Sequence, residues 1–181
     1  MMSSSYIISD LHIGHGSIIK YRPEFSSIEE HDELLKENIK LAGSKRNQLW
    51  MLGDCFFTWE SYKFLQEIAP YYERINFVPG NHDTDNAERV EILKESIKQG
   101  YYAKVGSMFK QSGFWLTHPP IHPDELRGCI NIHGHVHGNT VRDPGFINVS
   151  CENVRYKPVN LHQLKEQRFR ESLLVEYGYE D

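Results

Sequence analysis

The sequence predicts an α/β fold in which two mixed β-sheets face each other and helices lie outside them. Three features point there. Up to Gly100, apolar runs alternate with stretches of helical periodicity, the strand, helix, strand rhythm that builds a parallel sheet. Beyond Gly100 the texture changes to short strands broken by Gly106, Gly113 and Gly145, which predicts a second sheet. Polar residues with metal-binding chemistry stand where the apolar runs stop. Ligands of α/β sheets bind beyond the carboxyl ends of strands, so these loops should line one rim.

Taken in order, Tyr6-Ile7-Ile8 reads as the first strand and runs into Asp10-Leu11-His12. Ser27 and Glu30 have capping-box spacing ahead of a helix to about Ala42, with Leu34, Leu35, Ile39 and Ala42 on its apolar face and Gly43 as the stop. Leu49 to Leu52 is a strand ending at Gly53-Asp54. Trp59 to Ile68 is a second helix, closed by Pro70. Ile75 to Val78 runs into Gly80-Asn81-His82-Asp83, and Asn86 to Gln99 forms a third helix with Val90, Leu93 and Ile97 at helical spacing. The second sheet is expected from Tyr101–Lys104, Met108–Gln111, Phe114–Thr117, Cys129–Ile132 and Phe146–Ser150, with His118 and then His133-Gly134-His135-Val136-His137 at strand ends.

A chain of 181 residues suits a single domain, 1–181, which can bury roughly 70% of its unfolded surface without staples. Twenty Lys and Arg against 25 Asp and Glu give a formal charge of −5, which argues against a broad surface for duplex DNA. Cys55, Cys129 and Cys151 are odd in number and form no Cys-x-x-Cys pair, so neither a disulfide framework nor a zinc ribbon is signalled. The opening Met1-Met2-Ser3-Ser4-Ser5 has no basic leader region, and no apolar run reaches the roughly 18 residues of a membrane span. A cytoplasmic protein without a membrane partner is expected.

Asp and neutral His suit borderline first-row ions such as manganese, iron or zinc, whereas an all-carboxylate set would point to calcium. Two ions about 3.5–4 Å apart need a bridging carboxylate and can hold a hydroxide available near neutral pH. Asp54 is the natural bridge. Gly53, Gly80 and Gly134 each precede a ligand candidate, where close backbone approach or positive φ excludes a Cβ.

The ordered blocks Asp10-Leu11-His12, Gly53-Asp54, Gly80-Asn81-His82-Asp83, His118 and Gly134-His135-Val136-His137 resemble those of the calcineurin-like metallophosphoesterases. The chain looks most like their compact bacterial and bacteriophage branch, through Asp10 to His15 and Lys157-Pro158-Val159. The resemblance implies an αββα sandwich and two metal sites: one held by Asp10, His12, Asp54 and His137, the other by Asp54, Asn81, His118 and His135. It implies that His82 is catalytic and not a ligand, acting on the leaving oxygen. The expected activity is metal-dependent phosphoester hydrolysis through a bridged hydroxide, on phosphodiesters first. Manganese is the expected ion, with iron, zinc or nickel as alternatives, and the expected partner is a small phosphorylated substrate.

Competing readings stand beside these. Asp83 can be a ligand, a helix N-terminal residue or the acceptor that fixes the His82 tautomer, and the last reading is adopted. His133, two residues before His135, reads as supporting or structural, and Cys55 as a small buried residue. His15, Arg22 and His122 lie near the ligand blocks and are candidates for touching substrate phosphate. Arg155, Lys157, Lys165, Arg168 and Arg170 make a basic stretch that reads as a solvated face. That stretch also keeps a nuclease on single strands open as an alternative, beside a phosphomonoesterase. A non-catalytic scaffold is disfavoured, since no position of the pattern is lost.

Overall fold

The computed structural model describes residues 4–168. Strands β1 (Ser5–Ile8), β2 (Ser44–Met51), β3 (Tyr72–Phe77) and β4 (Tyr102–Val105) pair in parallel, and β9 (Val159–Asn160) adds antiparallel to β1. The order is β4-β3-β2-β1-β9. The second sheet runs β5 (Met108–Gln111), β6 (Phe114–Thr117), β7 (Ile130–His133), β8 (Phe146–Asn148), antiparallel in its first pair and parallel thereafter. Two mixed sheets flanked by helices are thus in place. The sheet boundary differs from the expected one: β4 lies after Gly100 yet joins the first sheet, as the strand that helix α3 (Ala87–Lys98) delivers parallel to β3. The change of sheet falls at Gly106, between β4, which pairs in parallel with β3, and β5, which opens an antiparallel hairpin with β6.

Period-two alternation divides the central strands between two cores. Ile8, Leu49, Met51, Ile75 and Phe77 face the helices and meet Leu35 and Ile39 of α1 (Ile28–Ala42), Phe64, Leu65 and Ile68 of α2 (Trp59–Ile68), and Ile92 of α3. Their neighbours Ile7, Trp50, Leu52 and Val78 face Phe114, Leu116 and Ile132 of the other sheet. Strands β1 and β2 are buried on both faces at their ends, which is why they read as continuous apolar runs. Residues 161–168 are helical, with Leu161 and Leu164 against the inter-sheet core. Among the described residues no helix is long and apolar enough to cross a membrane. Met1 to Ser3 and Arg170 lie outside the described residues.

The helix ends follow the expected caps, with adjustments. Ser27 accepts from Glu30 N, but the Glu30 carboxylate reaches back to Ser26, bonding its N at 2.9 Å and its Oγ at 2.6 Å. Thr58 and Ser61 form the complete capping box, and Asn86 caps α3. Two expected core faces are rotated. Leu34 is 37% exposed while His31, Leu35 and Ile39 turn inward, and Ile97 is 48% exposed while Ile92 and Ser96 turn inward. In both helices a polar residue takes an inner place: Ser96 bonds Ile92 O along its own helix, and His31 serves Arg22.

Leu49→Ala should cost about 2–5 kcal/mol, since Leu49 is fully buried between sheet and helices. Leu41→Ala, at a position 83% exposed, should stay within about 0.5 kcal/mol. Urea denaturation of both variants checks the contrast.

Candidate metal centre

The loops after β1, β2, β3, β6 and β7 bring the predicted residues together at one rim, where the two sheets also touch through a bridge between Ser9 and Ser150. Ligand atoms of Asp10, His12 and His137 lie within 4.8 Å of one another, and so do those of Asp54, His118 and His135. Asn81 joins the second group, its Oδ1 lying 3.1 Å from His118 Nε2 and 3.0 Å from His135 Nδ1. Two compact clusters, each with a carboxylate and histidines, match the borderline ligand chemistry read from the sequence.

Backbone conformation aims these side chains. Asp10, His12, Asp54, His135 and His137 all have φ between 50° and 71°, in the left-handed region where non-glycine residues cost about 1–3 kcal/mol each. Such strain persists only where surroundings over-determine it. Asp10 accepts from His135 N at 2.9 Å and Ser150 Oγ at 2.8 Å, tying the β1 loop to the loops after β7 and β8. Asp54 Oδ1 accepts from His82 N at 2.9 Å, and its Oδ2 lies 3.3 Å from His118 Nε2. Close packing leaves no space for substitution: a Cβ at Gly134 would fall on Ser9 Oγ and Asp10 Oδ2, and one at Gly53 would sit 2.5 Å from His118 Nδ1.

The titration tendencies fit a cation site. Burial holds His12 neutral, reinforced by Arg22 and neighbouring histidines, and its Nε2 is buried with no hydrogen-bond partner. An imidazole lone pair left unpaired in the interior suits a metal ligand. Burial would also disfavour charge on His118, but its bond to Asp54 prevails and lifts the ring to about 9. For Asp54, burial acts to raise the carboxyl and the His118 bond outweighs it, holding the group below its usual range. The field that draws a proton onto His118 Nε2 would equally draw a divalent ion.

Residues behind the clusters fix their tautomers. His118 Nδ1 donates to Leu52 O at 2.7 Å, leaving Nε2 to the cluster. His137 Nδ1 lies 3.0 Å from Glu152 Oε1, and this bond outweighs burial to raise His137 above its ordinary value. Glu152 itself is pulled down to about 2, because bonds from His137 and Arg22 overcome the cost of its burial. Sequence reasoning missed Glu152. Its signal was present, as a carboxylate just beyond the Phe146–Ser150 run.

Three expectations are corrected. Asp83 does not face the His82 ring; it is buried and accepts from Asp54 N at 2.7 Å, Cys55 N at 3.0 Å and Gly80 N at 2.7 Å, so it holds the backbone of the ligand loops. The acceptor on His82 Nδ1 is Asp85 Oδ2 at 2.8 Å, itself gripped by Arg89, whose guanidinium lies 4.0 Å over the Phe57 ring. Arg22 is fully buried and cannot meet substrate phosphate; it donates to Asp10 O, Leu11 O and Glu152 Oε1. Third, His122 is exposed and pairs locally with Asp124. His15, by contrast, does reach the site: its Nδ1 is 3.0 Å from His12 Nδ1 and its ring stacks on Phe57 at 4.3 Å. His133 is buried, bonds Gly134 O and belongs to neither ligand cluster, and Cys55 is a buried thiol donating to Gly53 O.

Fold and side chains together define a two-sheet α/β protein built to hold divalent metal beside a histidine. A family model of the calcineurin-like phosphoesterases matches residues 5–176. An uncharacterized protein of Methanocaldococcus jannaschii is 33% identical over 172 residues, 88% of either chain. The Gene 66 protein of Mycobacterium phage L5 is 33% identical over 84 residues, which are 45% of this chain and 41% of that one. The solved structure of AQ665, a protein of unknown function from Aquifex aeolicus, matches with a TM-score of 0.71 at 25% identity, covering 91% of this chain and 99% of that one. The chain belongs to the calcineurin-like phosphoesterases, which makes its general class that of metal-dependent phosphoester hydrolases.

Glu152→Gln should weaken metal binding about 10- to 100-fold, because the His137 ring loses its anionic partner. Calorimetric metal titration reads the affinity, and an unchanged circular-dichroism spectrum of the metal-free protein separates this from misfolding, while its melting temperature should fall because buried Arg22 loses its charged partner.

Proposed function

We propose that this protein is a binuclear phosphodiesterase acting on a small phosphorylated substrate, with manganese as the working ion and iron, zinc or nickel as substitutes. The observation that carries the reading is the pair of adjoining ligand clusters with His82 beside them. Asp10, His12 and His137 would hold one ion, Asn81, His118 and His135 the other, and Asp54 would bridge them. When bound, such ions polarise phosphoryl oxygens and make a water-derived nucleophile available near neutral pH. Three free cysteines favour a reducing, cytoplasmic setting.

The chain's own residues supply orientation and proton handling. Asp85 fixes the His82 ring with Nδ1 as donor, so Nε2 is the atom that can serve a leaving oxygen. Asp83 holds the amides of Asp54 and Gly80 in one frame, keeping the β2 and β3 loops at fixed separation. Arg22 performs the same service for the Asp10 carbonyl and Glu152. Because Asp83 and Arg22 are buried, the ligand loops they hold are set before any substrate arrives.

The metal-reconstituted protein, assayed on monoesters, linear diesters, cyclic nucleotides and short oligonucleotides, should turn over diesters fastest. Activity should vanish on chelation and return best with manganese. Full activity after complete metal removal, or faster turnover of matched aryl monoesters, overturns the respective part of the proposal.

His82→Ala should lose rate on the order of 10²–10⁴-fold while retaining its metal content. The loss should be smaller for an aryl ester with an acidic phenol than for an alkyl ester, since the former leaves without protonation. Loss of a metal, or equal slowing of both esters, would assign His82 to binding instead.

A further inference from the structure

Beside the clusters lies a cleft of about 430 Å³, whose walls include Ile18, Tyr21, His15, His82, His137 and Glu152. His12, His82 and His137, which also line it, belong to the site already described, so the cleft is continuous with it. Its size falls in the range of about 300–1,000 Å³ typical of small-molecule sites. Resting on the phosphoester reading above, we infer that this cleft seats one flat, uncharged ester group of the substrate, aryl or nucleoside in size.

Three observations carry the inference. The first is shape and surface. Ile18 is 3% exposed and forms an apolar base, whereas Tyr21 is 76% exposed and offers a ring that stacks on no other ring among the described residues. Exposed aromatic rings at a cleft stack readily on planar groups.

The second is rigidity. Tyr21 N donates to Ile18 O at 2.8 Å, and the next residue, Arg22, is anchored on Asp10 O at 2.7 Å and Glu152 Oε1 at 2.8 Å. The ring is therefore carried by backbone fixed to the metal-ligand loop. His15 is steadied in the same way, stacked on Phe57 at 4.3 Å with an interplanar angle of 14°. A preorganised seat loses less entropy on binding than a mobile one.

The third is charge. No Lys or Arg lines the cleft; of the guanidiniums behind it, Arg22 bonds Glu152, Asp10 O, Leu11 O and His31, and Arg89 bonds Asp85 and His82 O. Glu152 places a carboxylate on the wall. A second phosphate or carboxylate on the substrate would find no basic side chain on the cleft wall to pair with, since Arg22 is already bonded to Glu152. The same lack of basic residues disfavours a polynucleotide, whose backbone needs a positive groove.

The test uses non-hydrolysable phosphonates, so that binding is read without turnover. The manganese-loaded protein is titrated calorimetrically with phenylphosphonate, the 5′-phosphonate analogue of adenosine, methylphosphonate and 3-phosphonopropionate. Phenyl and adenosine compounds should bind on the order of 10-fold tighter than methylphosphonate, and 3-phosphonopropionate no tighter than methylphosphonate. Which of the first two binds tighter tells an aryl from a nucleoside substrate. Tyr21→Ala should erase the preference, Tyr21→Phe should keep it, and methylphosphonate affinity should be the same in all three proteins. Equal binding of all four compounds, or a preference that survives Tyr21→Ala, overturns the cleft assignment and leaves the phosphoester reading standing. Failure of every phosphonate to bind the metal-loaded protein overturns both.

Discussion

Two carboxylates buried at the rim between the sheets set the conditions that the rest of this structure meets. Asp10 is fully buried and Asp54 is 2% exposed. An isolated ionised carboxylate is untenable in such a place unless hydrogen bonds and opposite charge surround it. Each therefore collects donors from distant parts of the chain: His135 N and Ser150 Oγ for Asp10, and His82 N with the His118 ring for Asp54. Those donors come from both sheets, so satisfying the two charges locks the sheets' upper edges together. Divalent metal completes the compensation, which makes metal binding and local structure parts of one arrangement.

The same requirement explains the unusual backbone. Left-handed conformations at five candidate ligand positions would be costly on an ordinary loop. Here the loops after β2 and β3 are held by Asp83 across the amides of Asp54, Cys55 and Gly80, the loop after β1 by Arg22 across the carbonyls of Asp10 and Leu11, and the loop after β7 by Asn148 and Asn153, which donate to His137 O. Arg22, expected at substrate phosphate, is instead used to keep ligands in place. Arg22 does this twice, since it also steadies Glu152, whose carboxylate sets the His137 tautomer. The network extends through His31 and Asp32 to the amide of Gly14, which couples helix α1 to the β1 loop.

Much of the site could be read in the sequence, and the reasons differ by residue. Asp10, His12, Asp54, Asn81, His118, His135 and His137 stand at the ends of apolar runs, and a strand's end fixes where the next residues go to within a turn. Asp83 and Arg22 were placed in the right neighbourhood but given the wrong partners. Their side chains reach across to loops far away in sequence, and a residue's position along its own loop does not say which way it turns. Glu152 and Asp85 escaped notice because each acts through a histidine that only the folded chain brings beside it. The rotated faces of α1 and α3 have a similar origin, since His31 and Ser96 take inward positions through bonds that apolar periodicity does not register.

By itself the sequence determined the two-sheet α/β class, the rim on which the ligands gather and the ligand types, because apolar periodicity, glycine punctuation and side-chain chemistry are local properties. The tertiary structure alone decided that β4 belongs to the first sheet, which carboxylate serves which histidine, and that Arg22 is spent inside the protein. It also decided that Tyr21 and Ile18 meet beside the ligand clusters in one cleft. Those outcomes depend on which loops meet once the sheets pack and on how buried charges find partners, and both are settled by long-range contacts that no stretch of sequence contains.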